Sequence, residues 1–305
     1  MDRLITNIQS GPPKDTAHRS SAGSLSTRIA VESTVQAAPR IWTRRSGRGL
    51  VLVLDFDSVR LNMPDCDIPV VDGLIDHIEA HATERGSIIE AHLEHDVPFS
   101  TSTSDGIPHR LEIWFDMTAV YRVLSGRTLI IDPGHGGGDT GGRGPVNLLE
   151  KDVVLDLARR LKSTAKRAGM RCTMTRNGDV FVSEEARLEL AARAIQHSVF
   201  VSLHTGVAPD PAVRGAAAAF AGPGGEDLAG LVLSEITRKL HLPLRGLRPA
   251  AYATRPRIPA VAVEFVTITN PVDEGLVRSY VFMDRAALAI LNAVKNLFWR
   301  LEPGD

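Results

Sequence analysis

From residue 127 onward, short apolar segments alternate with longer segments of helical periodicity. Residues 128–132, 198–204 and 259–268 are apolar runs typical of buried strands, whereas residues 150–168 repeat apolar positions every three or four residues. Strands that alternate with helices of this length predict an α/β fold with a mostly parallel sheet covered on both faces. We expect further strands at 170–176 and 214–220, and helices from Ser183 to about 196, over 225–240 and from Tyr280 to Leu301.

The preceding part of the chain has a different texture. Residues 1–47 are rich in Ser, Thr, Ala, Pro and Arg without a sustained period, which predicts a flexible, mildly basic arm. Residues 48–122 predict a small β domain, because residues 50–56 are apolar and residues 110–117 alternate. The segment between them fits one helix or two strands around a turn at 85–86, and we favour the strands.

Composition excludes several classes of protein. The net charge of −1 offers neither a basic surface for nucleic acid nor an acidic tail. Apolar runs are interrupted well before the length of about 18 residues that a transmembrane helix needs. Cys66 and Cys172 are too few and too distant in sequence for a disulfide framework or a cysteine zinc site.

Four histidines lie among glutamates in the predicted β domain: His77, His81, His92 and His95. On a helix, His77 and His81 would face the same way and could bind a metal ion. On a strand they would belong to a polar sheet face, which is the interpretation that we favour.

A glycine-rich stretch, DPGHGGGDTGGRG, follows the first strand of the α/β part, and His135 lies at its start. His204 ends the strand at 198–204, and Glu264 lies inside the strand at 259–268. Since ligands bind at the carboxyl ends of strands in open α/β sheets, these side chains are candidates for one site. Glu150 opens a helix on the far side of the glycine loop.

Two histidines and a carboxylate are the ligand set of a catalytic zinc, and a second carboxylate would supply a general base. The glycines would let the backbone turn sharply and leave space beside the imidazole of His135. Asp132 and Asp139 are both candidates for orienting a ligand. A phosphate-binding loop is the alternative, but neither a Gly-Lys-Ser/Thr sequence nor GxGxxG spacing is present after the strand.

Five ordered motifs carry a resemblance to a known family: DPGHGGGDTGGRG with EKDV, TMTRNGD, SEEARLELAARA, VSLHTG and IPAVAVEFVTITNP. Over residues 127–302 the chain resembles the zinc N-acetylmuramoyl-L-alanine amidases of the lytic, cell-wall type. The resemblance implies a mixed six-stranded sheet flanked by helices and a catalytic domain over 127–305. It also implies that His135, Glu150 and His204 bind Zn²⁺ and that Glu264 is the catalytic carboxylate. Residues 48–122 resemble, more weakly, the AMIN-type β module that precedes many such amidases and helps them bind the cell wall.

The chain departs from the family pattern at two places. Thr205 and Gly206 stand where the family usually has Ala-Asn, and residues 265–267 read Phe-Val-Thr where it usually has Leu-Gly-Phe. Because of both changes, neither the rim of the substrate-binding cleft nor the substrate preference can be taken over from the family. Some relatives carry a long helix after the second histidine that blocks the zinc, but only about ten residues separate His204 from the next strand here.

The resemblance implies peptidoglycan as substrate and partner, with hydrolysis of the bond between N-acetylmuramic acid and L-alanine. Two alternatives stay open: a non-catalytic wall-binding protein on the same fold, and a zinc peptidase acting on the stem peptide. The expected location is the cell wall or periplasm. Residues 1–20 lack the apolar core of a secretory signal, so export and release on lysis are both compatible with the sequence.

Overall fold

The computed structural model describes residues 2–11, 26–46, 49–194, 197–250 and 256–302. The chain divides into two compact units, residues 1–122 and 123–305. Among the described residues, no helix is both long enough and apolar enough to cross a membrane.

The first unit consists of two five-stranded sheets, with strand orders β5-β1-β2-β10-β9 and β3-β4-β8-β7-β6. Alternate residues of both sheets, among them Ile29, Leu54 and Ile113, are buried in one hydrophobic core. The elements are β1 (Leu4–Gly11), β2 (Ser26–Ser33), β3 (Arg40–Ser46), β4 (Gly49–Asp57), β5 (Arg60–Leu61), β6 (Cys66–Pro69), β7 (Ile75–Ala82), β8 (Gly86–Leu93), β9 (Phe99–Ser104), β10 (His109–Asp116) and helix α1 (Thr118–Arg122).

The predicted flexible arm over residues 1–47 is wrong where the structure describes it. Strands β1, β2 and β3 lie within that range, and β2 is a central strand that pairs with β1 and β10. The buried residues Ile5, Ile29 and Val31 anchor these strands in the core. Their short apolar pattern is hidden among Ser, Thr and Arg, and the partner strand β10 lies about 80 residues further on. Residues 1, 12–25 and 47 of the predicted arm lie outside the described part of the chain.

The choice of two strands in the middle of this unit is confirmed. Strands β7 and β8 form an antiparallel pair, and the amide of Thr83 donates to the carbonyl of Gly86 at the turn between them. His77 and His81 therefore lie four residues apart on one strand, on the same face of the sheet, and not on a helix.

The second unit contains a six-stranded sheet of order β12-β11-β13-β16-β14-β15, in which only the β14–β16 pair is antiparallel. The mixed, mostly parallel sheet of six strands is thus confirmed. The elements are β11 (Thr128–Pro133), α2 (Glu150–Arg167), β12 (Arg171–Met174), α3 (Glu184–Ala192), β13 (Ser198–Gly206), β14 (Ala216–Ala221), α4 (Gly225–Lys239), β15 (Leu244–Pro249), β16 (Ala260–Thr267), α5 (Pro271–Val277) and α6 (Tyr280–Leu301).

The helices form for the reasons that their sequences indicate. The predicted stripe of α2, from Val153 to Ala165, is buried, and α6 packs against both α2 and α4. The Ser183 hydroxyl accepts a hydrogen bond from the amide of Ala186 and begins α3 as predicted. That helix ends at Ala192, earlier than the expected 196.

Candidate metal centre and cleft

Three neighbouring strands carry the residues that the sequence singled out. His135 follows the carboxyl end of β11, His204 lies near the end of β13, and Glu264 lies in β16. In the parallel register His204 is paired with Glu264, so both side chains leave the sheet on the same face. The topology therefore brings the predicted residues to one end of the sheet.

His135, Glu150 and His204 form a compact cluster. Both His135 Nε2 and His204 Nδ1 lie 3.2 Å from Glu150 Oε1. One ligand-competent atom from each residue lies within 4.8 Å of the others, so the group can hold a metal ion. The histidine rings meet edge to face, with centroids 5.2 Å apart.

Glu150 is the buried centre of this cluster, with 2% of its surface exposed. Its carboxylate accepts hydrogen bonds from the amide of Gly142 at 2.8 Å and from the amide of Thr205 at 2.9 Å. Burial raises the pKa of this carboxyl group, but the hydrogen bonds from both histidines and both amides outweigh burial and bring the pKa well below the ordinary glutamate value. Glu150 is therefore held as a carboxylate, the form that binds metals.

The imidazole of His135 is oriented by a second carboxylate. Its Nδ1 atom lies 2.9 Å from Asp139 Oδ2, which leaves Nε2 directed at Glu150. The Glu150 carboxylate raises the pKa of His135, burial acts against it, and Asp139 adds to the increase. A metal ion at this position would compete with that proton, because ligands bind metals in their deprotonated form. Of the two aspartates named from the sequence, Asp139 is the one that contacts the histidine.

The glycine loop is shaped by the bulk of the site residues. A Cβ atom on Gly134 would lie 2.3 Å from the His204 ring, and one on Gly141 would lie 2.5 Å from the His135 ring and 2.8 Å from Glu150 Oε2. His135 has the left-handed φ of 59°, which is uncommon for a residue with a side chain. The loop therefore needs glycine at these two positions so that the three side chains can meet.

Two buried arginines, which the sequence analysis did not identify, bind backbone carbonyl groups of this loop. Arg176 donates to the carbonyl groups of Pro133 and Gly134, and Arg187 donates to the carbonyl of His135 at 2.8 Å. Buried guanidinium groups need such acceptors. Arg176 and Arg187 stand in the TMTRNGD and SEEARLELAARA motifs, which was the available signal.

Asp132 supports the site through hydrogen bonds and is not one of the three candidate metal ligands. It is buried, and it accepts hydrogen bonds from Thr175, Arg187 and Ser202. Its role is to hold Arg187, which in turn holds the carbonyl of His135.

Glu264 is half-buried beside an arginine that the sequence reasoning also missed. Its Oε2 atom accepts a hydrogen bond from Arg245 Nη1 at 3.0 Å, and Arg248 Nη2 lies 3.6 Å from Oε1. Both arginines are on β15, which the sequence analysis did not predict. A Cβ atom on Gly206 would lie 1.9 Å from Arg245 Nη1. The departure from the family pattern at residue 206 thus leaves room for a guanidinium group against Glu264.

The second departure from the family pattern, residues 265–267, is buried. Phe265, Val266 and Thr267 have no exposed surface, and the amide of Thr267 donates to buried Asp273. These three residues therefore pack in the interior and do not form the rim of the cleft.

A cavity of about 450 Å³ adjoins the cluster of His135, Glu150 and His204, and this volume is typical of small-molecule sites. It extends from His135 and His204 along the sheet to Arg187 and Leu188 of α3. Phe181 also lines it and is 64% exposed, so an apolar surface is available at the mouth.

Comparison with known proteins agrees with this geometry. A sequence model of the N-acetylmuramoyl-L-alanine amidases matches residues 129–296, which include all four candidate residues and more than half of the chain. The chain belongs to this amidase family. The AMIN-type character of the first unit remains a prediction.

Among the relatives is a probable cell wall amidase, LytH, of Staphylococcus epidermidis, which is 30% identical over 72% of this chain and 70% of its own length. The matched 72% of this chain is longer than the second unit, residues 123–305. The similarity to this relative therefore extends into the first unit.

Two solved structures of the family superimpose on this chain. The N-acetylmuramoyl-L-alanine amidase AmiC2 of Nostoc punctiforme has a TM-score of 0.53 and 30% identity, covering 59% of this chain and 99% of that chain. An N-acetylmuramoyl-L-alanine amidase from Clostridium difficile 630 has a TM-score of 0.53 and 26% identity, covering 58% and 98%. These matches span nearly all of each solved chain.

Proposed function

We propose that this chain is a peptidoglycan hydrolase that cleaves the amide bond between N-acetylmuramic acid and the L-alanine of the stem peptide. The observation that carries the proposal is the convergence of His135, Glu150 and His204 at one end of the sheet, with Glu264 on the neighbouring strand. The family match supplies the class of bond.

The donor set fits Zn²⁺. Imidazole and carboxylate are ligands that zinc accepts, and three protein ligands leave a position for water or substrate. Two of the three side chains are held by groups outside the cluster: Glu150 by two backbone amides, and His135 by Asp139. Bound zinc would supply Lewis acidity, which polarises a carbonyl group and lowers the pKa of water.

The residues of the chain would do the remaining work. Glu264 would accept the proton of the attacking water and return it to the departing amine of L-alanine. Arg245 would hold the Glu264 carboxylate in place, since it donates to Oε2 at 3.0 Å. The cavity between the sheet and α3 would bind the muropeptide next to the scissile bond.

The site of action would be the cell wall, as the name of the staphylococcal relative states for that protein. The first unit would bind intact wall material, by its resemblance to targeting modules. This division assigns chemistry to residues 123–305 alone.

Mass spectrometry of digested muropeptides tests the proposal. Free stem peptides that begin with L-alanine are the expected product. Shortened stems that remain attached to the sugar would indicate a peptidase instead. Unchanged muropeptides, with binding to sacculi retained, would indicate a wall-binding protein without catalysis.

A further inference from the structure

A second cluster of metal-competent side chains lies in the first unit, on the sheet of β3, β4, β8, β7 and β6. His77 and Glu79 are on β7, and His92 lies directly opposite His77 on β8. All three point away from the core, because the alternating residues Ile78, Ala80 and Ala91 are buried. We propose that His77, Glu79 and His92 bind a first-row divalent metal ion such as Zn²⁺, at a site separate from the amidase cleft.

The distances are those of ligands around a common ion. Glu79 Oε1 lies 3.6 Å from His77 Nε2, and Glu79 Oε2 lies 3.5 Å from His92 Nε2. Two ligands about 2.1 Å from a tetrahedral zinc are themselves about 3.4 Å apart. These separations are long for hydrogen bonds but match ligands that share a metal ion. The donor atoms of all three residues lie within 4.8 Å of one another.

A carboxylate orients one of the two imidazoles. His77 Nδ1 lies 3.0 Å from Asp76 Oδ2, which favours the tautomer that carries its proton on Nδ1. In the neutral imidazole with that tautomer, the Nε2 atom presents a lone pair to Glu79, and a cation between the two acceptors would bind both. A carboxylate behind a histidine is the usual support of a metal-binding imidazole.

His92 provides an independent indication. Its Nε2 atom is buried and has no hydrogen-bond partner among the described residues. A buried polar nitrogen without a partner is costly. The His92 ring is stacked on His77, with centroids 4.0 Å apart and planes 13° apart, which directs both Nε2 atoms toward Glu79. A metal ion between them would satisfy both nitrogens.

The chemistry of the donors selects the class of ion. Two imidazoles and one carboxylate suit zinc, nickel or copper, whereas calcium and magnesium prefer oxygen ligands alone. The ion would join adjacent strands β7 and β8, so its binding would stabilise the first unit.

Zinc binding by the whole chain tests the site. After removal of metals with a chelator, the chain is dialysed against Zn²⁺ and its metal content is measured. We expect about two equivalents in the native chain and about one in His92→Ala, since each cluster holds one ion. Glu79→Gln keeps the size of the side chain and should weaken binding of the second equivalent at least tenfold. Thermal unfolding with and without Zn²⁺ should show the stabilisation reduced in both variants.

His81→Ala is the matched control, because His81 lies on the same face of β7 two residues beyond Glu79 and outside the cluster. It should bind as much zinc as the native chain. Circular dichroism establishes whether His92→Ala is folded. If His92→Ala does not fold, the zinc affinity of Glu79→Gln decides whether the site exists. An unchanged zinc content in folded His92→Ala, or an unchanged affinity for the second equivalent in Glu79→Gln, would overturn the site. The comparison does not involve His204, so failure of the proposed amidase centre would be recognised separately by an unchanged metal content in His204→Ala.

Discussion

Glu264 is the residue on which the proposed chemistry depends, and Glu264→Gln should separate metal binding from catalysis. The side chain keeps its size, so the strand around it should remain packed, but the amide cannot accept a proton from water. General-base catalysis contributes about 10²–10⁴-fold, or roughly 3–5 kcal/mol of barrier. We expect zinc content equal to that of the native chain and turnover of soluble muropeptides reduced at least about a hundredfold.

Glu226→Gln is a suitable control for that substitution, because Glu226 is exposed in the first turn of α4 and does not line the cleft cavity. It should leave turnover unchanged. If Glu264→Gln lost its zinc, Glu264 would have to be reassigned as a ligand. Near-native turnover would end its role as general base. Glu274 of α5, a buried carboxylate, accepts hydrogen bonds from the amides of Val146 and Leu148 and has a structural role.

Asp139→Asn should weaken zinc binding without removing a proposed ligand. Asp139 holds Nδ1 of His135, and loss of such a supporting carboxylate typically costs about 10–100-fold in metal affinity. Competition with a chromogenic chelator measures the affinity. Asp179→Asn is the control, since Asp179 contacts the same loop through the amide of Gly137 and through Lys151, not through the histidine. Equal affinities for the two variants would show that the hydrogen bond to His135 is unimportant.

The four proposed site residues could be named from the sequence because each stands at a strand end, in an apolar strand or in an ordered motif. Their supporting residues could not. Spacing alone made Asp132 and Asp139 equivalent candidates, and only the geometry separates the carboxylate that contacts His135 from the one that contacts Arg187. Arg245 was missed because its strand was missed.

At the scale of elements, the glycine loop between β11 and α2 should not tolerate a side chain at position 134. Gly134→Ala would place a methyl group 2.3 Å from the His204 ring, so the ring must move away from Glu150. We expect loss of most of the zinc from the cleft and of nearly all activity. Metal analysis and muropeptide turnover of the purified variant are the measurements.

Gly138→Ala in the same loop is the matched control, since a Cβ atom there would meet nothing within 4 Å. Its stability should stay within about 0.5 kcal/mol of the native chain, with zinc and activity retained. Comparable losses in both variants would mean that flexibility of the loop, rather than space for His204, explains its glycines.

The elements that were predicted well have strong internal periodicity, and those that were missed depend on distant partners. Helix α6 begins at Tyr280 and ends at Leu301 as expected, because its apolar stripe is long and Ser279 caps it. Strand β15 has the sequence LRGLRP, with two arginines, a glycine and a proline, and only pairing with β14 makes it a strand. Strand β2 was missed for the same reason, since its partner β10 lies about 80 residues further on. Strand β3 was missed because it is an almost entirely exposed edge strand without apolar alternation.

At the scale of the whole molecule, the division into two units predicts that chemistry and wall binding can be separated. A fragment of residues 123–305 contains the complete sheet of the second unit and all four proposed site residues. It should hydrolyse soluble muropeptides at a rate similar to that of the full chain but bind intact sacculi less well. Co-sedimentation with sacculi and turnover of a soluble substrate measure the two properties.

Circular dichroism of the fragment establishes that it is folded before the comparison is made. A folded fragment without turnover on soluble substrates would contradict the division of labour. Undiminished binding to sacculi would place wall recognition in the second unit.

The contact between Gly206 and Arg245 has an evolutionary consequence. A larger side chain at position 206 would overlap the present position of the guanidinium group, so Arg245 would have to move from its place against Glu264. Members of the family with glycine after the residue that follows the second histidine should carry arginine at the position of 245, and members with asparagine should not. Glycine at position 206 together with arginine at position 245 would therefore identify, from sequence alone, the family members that have a guanidinium group beside the proposed catalytic glutamate.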